Sequence, residues 1–180
     1  GVNDAGYILQ TRYNASGAKV RGINTELKIG IPSVFELQAG YTFQRSLYNE
    51  PEEWSDAVKA ERKMFRTPDH YAYFTASADI TKQFKASLFG NYTGRMLVQH
   101  NAGYIAEDRS ELAPSFWDMG AQLAYKFYLT EAINLELSGG VKNIFDSFQN
   151  DIDRGANRDS VYIFGPMMPR TFFLGLKFTL

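Results

Sequence analysis

From residue 170 to residue 180 apolar and polar positions alternate without a break. Phe172, Leu174, Leu176, Phe178 and Leu180 share one parity, and Thr171, Phe173, Gly175, Lys177 and Thr179 share the other. A period of two is the signature of a β-strand, and this one carries a wholly apolar face opposite a mixed face with a lysine at its middle. Such a face has to be covered, either by a second layer of protein or by lipid. The rest of the chain offers only more strands of the same kind, so the covering layer is expected to be a bilayer.

Those other strands recur in pairs. A short first strand is expected at 7–13, closed by a tight turn at Asn14-Ala-Ser-Gly17, and a second at 20–31, with Ile23, Thr25, Leu27 and Ile29 on one side. After Pro32-Ser33 the segment 34–44 sets Phe35, Leu37, Ala39, Tyr41 and Phe43 against Glu36, Gln38, Gly40, Thr42 and Gln44. Further strands are predicted at 70–80, 84–95, 116–129 and 133–142, ahead of the last one. Long polar inserts at about 48–66, 98–114 and 144–166 separate them, the first with room for a short helix. After the first hairpin, tight turns alternate with these long loops. That asymmetry is the habit of transmembrane barrels, whose turns are short on one side and whose loops are long on the outer side.

The expected fold is therefore all-β, an antiparallel transmembrane β-barrel, with roughly eight strands in this chain, most near the 9–11 residues that cross a bilayer when tilted. Aromatic residues make up 15% of the chain, and Tyr71, Tyr73, Tyr92, Trp117 and Tyr128 near strand ends are expected in headgroup girdles. The opposite face carries Glu26, Lys28, Glu36, Lys85, Arg95, Lys126 and Glu136, which belong against water or a polar plug. A soluble sandwich or lipocalin-like barrel would reverse the facing, and parity alone does not choose. The charged face in every strand, the unequal loops and the apolar last strand favour the membrane. A net charge of −1 gives no footprint for nucleic acid, and with no cysteine there are no disulfides, thiolate metal sites or thiol nucleophiles.

At the final hairpin the sequence resembles a known family. Gly139-Gly-Val-Lys-Asn-Ile-Phe-Asp146, and after a loop Gly165-Pro-Met-Met-Pro-Arg-Thr-Phe-Phe-Leu-Gly-Leu-Lys-Phe178, are similar to the C-terminal boxes of TonB-dependent outer-membrane receptors. Val20-Arg-Gly-Ile-Asn-Thr-Glu-Leu27 and Ser115-Phe-Trp-Asp-Met119 resemble two further strands of that family, whereas Leu180 stands where it usually ends on Phe or Trp. The resemblance implies a bacterial outer-membrane location and a barrel of about 22 strands around an N-terminal plug. It also implies active import of a scarce nutrient (siderophore-bound iron, haem or cobalamin), driven through the plug by the TonB complex. On this reading 1–180 is the C-terminal portion of the barrel, forming wall and part of the ligand vestibule, with plug and earlier strands absent. Phe172, Leu174, Leu176, Phe178 and Leu180 would be the signal read by the barrel-assembly machinery.

Within that frame Arg95, His100, Tyr104, Arg154 and Arg158 are candidate contacts for a small-molecule or metal-chelate ligand at the outer end of the wall. Asp151, Asp153, Asn157 and Asp159 space oxygen ligands at near-alternate positions, as a structural Ca2+ loop does. Yet Gly155 comes one place early for an EF-hand turn and Tyr162 replaces the closing glutamate, so the competing reading is a solvated loop with Arg154 and Arg158 pairing the acids. Two other functions compete: a self-contained eight-stranded structural or adhesive barrel, and an outer-membrane hydrolase. The chain's two histidines, His70 and His100, have no nucleophile elbow or metal-binding helix motif beside them, so no catalytic residue and no enzymatic activity is expected.

Overall fold

The computed structural model describes residues 16–179, so the strand expected at 7–13 and the terminal Leu180 lie outside the described residues. The strands are β1 (Ala18–Ile31), β2 (Phe35–Glu52), β3 (Glu61–Lys63), β4 (His70–Asp79), β5 (Phe84–Thr93), β6 (Met96–His100), β7 (Arg109–Ala113), β8 (Phe116–Tyr128), β9 (Asn134–Lys142) and β10 (Thr171–Thr179), with no helix among the described residues. One antiparallel sheet runs in the order β1-β2-β4-β5-β8-β9-β10. β3 pairs with the far end of β2, and β6 and β7 form a separate hairpin. Sequential neighbours pair throughout, as expected where each link is a hairpin.

Two inserts differ from the sequence expectation. β2 does not stop near residue 44, because Ala18 to Arg21 continue the ladder against Tyr48 to Arg45 and the Ser16 hydroxyl and amide both donate to the Glu52 carboxylate. The first insert is thus partly sheet, and it carries strand β3 in place of a short helix. The second insert is mostly the β6–β7 hairpin, with Met96 opposite Ala113 and His100 opposite Arg109. The third, 144–166, holds no strand.

Register carries one apolar face across the whole sheet. Ile23 faces Phe43, Leu27 faces Ala39, Ala76 faces Leu88, Leu123 faces Gly139, and Leu137 faces Leu176. No described layer covers that face: Leu174 is 86% exposed and Phe172 77%. Aromatic rows bound it, Phe43, His70, Tyr92 and Trp117 towards the long loops and Phe84, Tyr125 and Phe127 towards the short turns. Each row lies where amphipathic rings meet a headgroup region.

The opposite face is polar, with Lys126, Glu136 and Lys177 adjacent across three strands and Asp79 opposite Lys85. Tyr71, Tyr73 and Tyr128 point here and not into a girdle, since they share the parity of Thr75, Glu36 and Lys126. Position along the strand suggested the lipid; register decides otherwise. Three aromatic rings on this face lie across a glycine directly opposite: Tyr73 over Gly40, Phe89 over Gly120 and Phe173 over Gly140. A Cβ on Gly40 would meet the Tyr73 ring at 2.2 Å, so the ring fills what a side chain would occupy. Its hydroxyl then donates to Glu26 Oε1 at 3.2 Å and accepts from Gln38 Nε2 at 3.4 Å, tying three strands.

The family-like boxes close the β9–β10 corner. Asn143 and Asp146 take left-handed backbone (φ 49° and 53°), which Asn and Asp tolerate better than other side chains. The Asn143 amide donates to the Ser147 and Met168 carbonyls, and Asp146 Oδ1 accepts the Arg170 N–H at 2.7 Å. Arg170 Nε donates back to the Ile144 carbonyl.

Facing is testable on one strand. Leu176→Lys should lower folding efficiency in lipid vesicles, at a cost of about 2–4 kcal/mol near the bilayer centre, whereas Lys177→Leu should fold nearly as the parent. Equal yields of heat-modifiable protein from the two variants would refute the assignment. For the ring-on-glycine contact, Gly40→Ala should destabilise by about 1 kcal/mol or more, and much less in a Tyr73→Ala background, because the clash is then gone. Urea titration of the four proteins measures the coupling.

Candidate functional site

All three long connections emerge at one end of the sheet, and there they pack on one another. Met96, Val98, Ala113 and Tyr162 form a buried cluster with Phe164 against it, so the hairpin β6–β7 and the segment 144–166 share a small hydrophobic core. The sheet itself has none of comparable burial among the described residues. Gln149 bolts the last segment to itself, its amide donating to the Tyr162 carbonyl and its carbonyl accepting the Phe164 N–H.

At the heart of this cap is His100. It is 5% exposed and stacks on the Tyr162 ring at 3.6 Å with 6° between planes. Its Nε2 lies 3.0 Å from Asp153 Oδ2, and its Nδ1 lies 3.3 Å from Glu111 Oε1. His100 is therefore not at the rim within a ligand's reach, as expected from sequence, but an internal tie between the hairpin and the third loop. Asp153, 3% exposed, also accepts the Asp159 N–H. Asp159 takes the backbone and side-chain N–H of Asn101 and the N–H of Val161. Burial pushes the Asp159 carboxyl up, but those N–H donors and the charge of His100 outweigh it and hold the group below the usual carboxylate range. Burial pushes the Tyr162 hydroxyl well above its ordinary value, reinforced by its bond to Asp151 and by nearby acids, so it stays a neutral donor.

This geometry separates the four oxygen residues proposed for calcium. Asp151 is turned to Tyr162, Asp153 to His100 and Asp159 to Asn101, while Asn157 is exposed. Among the described residues no group of three or more metal-ligating side chains converges. The acids are not paired by Arg154 or Arg158 either; Arg158 donates to the Gly155 carbonyl and Arg154 is exposed. Arg95, Tyr104, Arg154 and Arg158 all lie exposed at this end of the molecule.

Two features escaped the sequence. Arg66 has left-handed backbone (φ 54°), donates its N–H to the Leu97 carbonyl, and directs its guanidinium to the carbonyls of Ile163 and Val161. One residue thus joins all three long connections, and nothing in its local sequence marks it. The second is a recess of about 260 Å³ on the polar face, where Asn91, Thr93, Phe116 and Asp118 are roofed by Phe164, Gly165 and Pro166. The common parity of the four strand residues was legible, but the roof comes from 48 positions or so further along and was not.

No protein-family model matches the chain, and no curated protein matches it. Solved structures do. The ferric-catecholate import receptor Fiu from E. coli K12 superposes with a TM-score of 0.59 at 21% identity, covering 90% of this chain and 21% of that one. The ferripyoverdine receptor of the outer membrane of Pseudomonas aeruginosa, bound to ferripyoverdine, gives 0.56 at 16% identity, covering 72% and 16% respectively. The fold is that of an antiparallel β-barrel wall, as in part of those two proteins. This chain spans about a fifth of the length of the first receptor and about a sixth of the second. With the wall fold fixed, the uncovered apolar face is the membrane side and the polar face the lumen side, and the cap lies at the end with the long loops.

His70 lies at the girdle, its Nδ1 2.7 Å from the Tyr41 hydroxyl and its ring 5.1 Å from that of Phe43. Among the described residues neither histidine hydrogen-bonds a serine or threonine. If His100 is the tie described, His100→Leu should leave Asp153 buried without its partner and weaken the cap by about 1–3 kcal/mol. Hydrogen exchange across 144–166 should then accelerate while the wall strands stay protected; unchanged exchange there would refute the role.

Proposed function

We propose that this chain is the C-terminal wall of a TonB-dependent outer-membrane importer, and that its ligand is a ferric siderophore. The observation that carries the reading is the fold shared over 90% of the chain with a ferric-catecholate import receptor. By name, one of the two solved structures is a ferric-catecholate import receptor and the other a ferripyoverdine receptor bound to ferripyoverdine. This favours a siderophore over haem or cobalamin. The mouth suits such cargo: Arg95, Arg154 and Arg158 offer exposed guanidinium groups to an anionic chelate, and Tyr104 offers an exposed ring. The lumen recess below the cap adds Asn91, Thr93 and Asp118 as hydrogen-bonding wall.

In this scheme the chain's work is passive. It provides a rigid hydrogen-bonded wall, a charged lumen surface and a tied-down cap that positions the contact residues, while plug movement driven by the TonB complex opens the path. Barrel-assembly machinery and outer-membrane lipid are its other partners. A self-contained eight-stranded barrel is the competing reading; it requires the first and last strands to pair, and among the described residues β1 and β10 stand at opposite ends of the sheet without pairing to each other.

The test is uptake. Cells lacking the gene for the whole protein should fail to accumulate radiolabelled iron from one of a panel of ferric catecholate and hydroxamate siderophores. The gene should restore uptake, and deletion of TonB should abolish it. Uptake of haem or cobalamin alone would displace the siderophore, and a native protein whose barrel closes with eight strands would displace import altogether.

A further inference from the structure

On the membrane side, the face built by β1 and β2 changes chemistry just beyond the girdle. Ile23 faces Phe43, and the next outward pair along the ladder is Arg21 facing Arg45, followed by Lys19 facing Leu47. Each step advances two residues, roughly 7 Å of strand, so the arginines stand at headgroup depth and not in the hydrocarbon. The long loops leave from this end, which makes the leaflet the outer one.

Two arginines directly opposite on one face of a ladder repel each other unless an anion lies between them. Among the described residues neither forms an ion pair, and both side chains are exposed. Lys63, beside Leu47 on the same face, is by contrast neutralised by Asp69 at 2.7 Å. Arg21 and Arg45 line an open groove of about 720 Å³ together with Lys19 and Arg62, above an apolar floor of Ile23 and Phe43. Glu50 is the single acid on its wall. Arg62 is fixed at the rim by its bonds to the Tyr48 and Asn49 carbonyls.

We infer that this groove is a binding site for the phosphorylated headgroup of an outer-leaflet lipid. The inference rests on the outer-membrane reading proposed above. Guanidinium pairs recognise phosphate oxygens by paired N–H donors. The apolar floor runs on into the lipid-facing strands, so an occupant with acyl chains fits both halves of the groove, while a free anion satisfies only the upper half. Bound phosphate would also remove the repulsion between Arg21 and Arg45 and clamp the β1–β2 ladder at its outer end.

To test this, the whole protein carrying this chain is purified from outer membranes in detergent and stripped of lipid. It is then titrated with short-chain lipopolysaccharide, with the same lipid dephosphorylated, and with inorganic phosphate, and bound molecules are counted by native mass spectrometry. The parent should retain the phosphorylated lipid, and Arg21→Ala/Arg45→Ala should bind it about tenfold or more weakly. Arg21→Lys/Arg45→Lys should recover part of the loss, and the lumen-side control Lys28→Ala/Lys126→Ala should bind as the parent does. Dephosphorylated lipid should bind the parent as weakly as the phosphorylated lipid binds the double alanine variant. Parent-like lipid binding by that variant, when its heat-modifiable migration shows a folded barrel, overturns the site. Displacement of the lipid by inorganic phosphate at equal concentration overturns the lipid as occupant. Failure of siderophore uptake with lipid binding intact would overturn only the import reading, whereas a parent that does not insert into membranes would overturn both.

Discussion

Each inner strand of the wall, β2, β4, β5, β8 and β9, has its backbone donors and acceptors satisfied by the strands on either side, and the rest of the structure depends on that ladder. A peptide group left unpaired in hydrocarbon costs several kcal/mol, roughly, so a chain crossing a bilayer without helices must run as an uninterrupted sheet. Antiparallel hairpins meet this requirement with short links at one end. The sheet then needs no second protein layer, and its apolar face can stay uncovered by protein from Ile23 on β1 to Phe178 on β10. What would be an aggregation hazard in water is the solvent-facing surface when the solvent is lipid.

With the wall held by its ladder, side-chain packing does different work in different places. On the lumen face, aromatic rings laid across Gly40, Gly120 and Gly140 lock neighbouring strands together without adding volume to the wall. At the end with the long loops there is water on most sides, and there the protein builds an ordinary core from Met96, Val98, Ala113 and Tyr162. The polar ties of His100, Asp153, Asp159 and Arg66 sit around that core. His100, Asp153 and Asp159 are buried or half-buried and Arg66 is exposed, and they have partners far off in sequence, so opening the cap breaks several of these ties at once. The cap's segments have no wall sheet to hold them, and this network supplies their rigidity.

The membrane side adds a boundary condition. Phe43, His70, Tyr92 and Trp117 mark the outer edge of the hydrocarbon, and Arg21 and Arg45 begin immediately beyond. The depth ordering of apolar, aromatic and cationic side chains along a single parity of β1 and β2 matches the order in which a lipid presents its acyl chains, interface and phosphate. The same two strands therefore serve as barrel wall and as a surface suited to a specific headgroup.

The fold was largely legible because its signal is local. A period of two, a run of apolar residues on one parity and the spacing of turns fixed seven wall strands to within a few residues, apart from the long extension of β2 past Gln44. Pro51 and the acids around it hid that extension, which exists only because β1 continues to pair with it. The β6–β7 hairpin went unseen because each arm is five residues long, too short for alternation to stand out. The candidate site was legible in its residue types and not in its arrangement. Asp153 and Asp159 have the spacing of a cation loop, but His100 and Asn101 arrive from more than fifty residues away and claim both carboxylates. Alternation along one strand is a property of consecutive residues, so the sequence by itself determined the strands and their two faces, and the unequal loops and charged face favoured lipid against the apolar one. Which loops meet, and which buried polar groups find each other, depends on chain segments brought together by the ladder, and only the tertiary structure decided that.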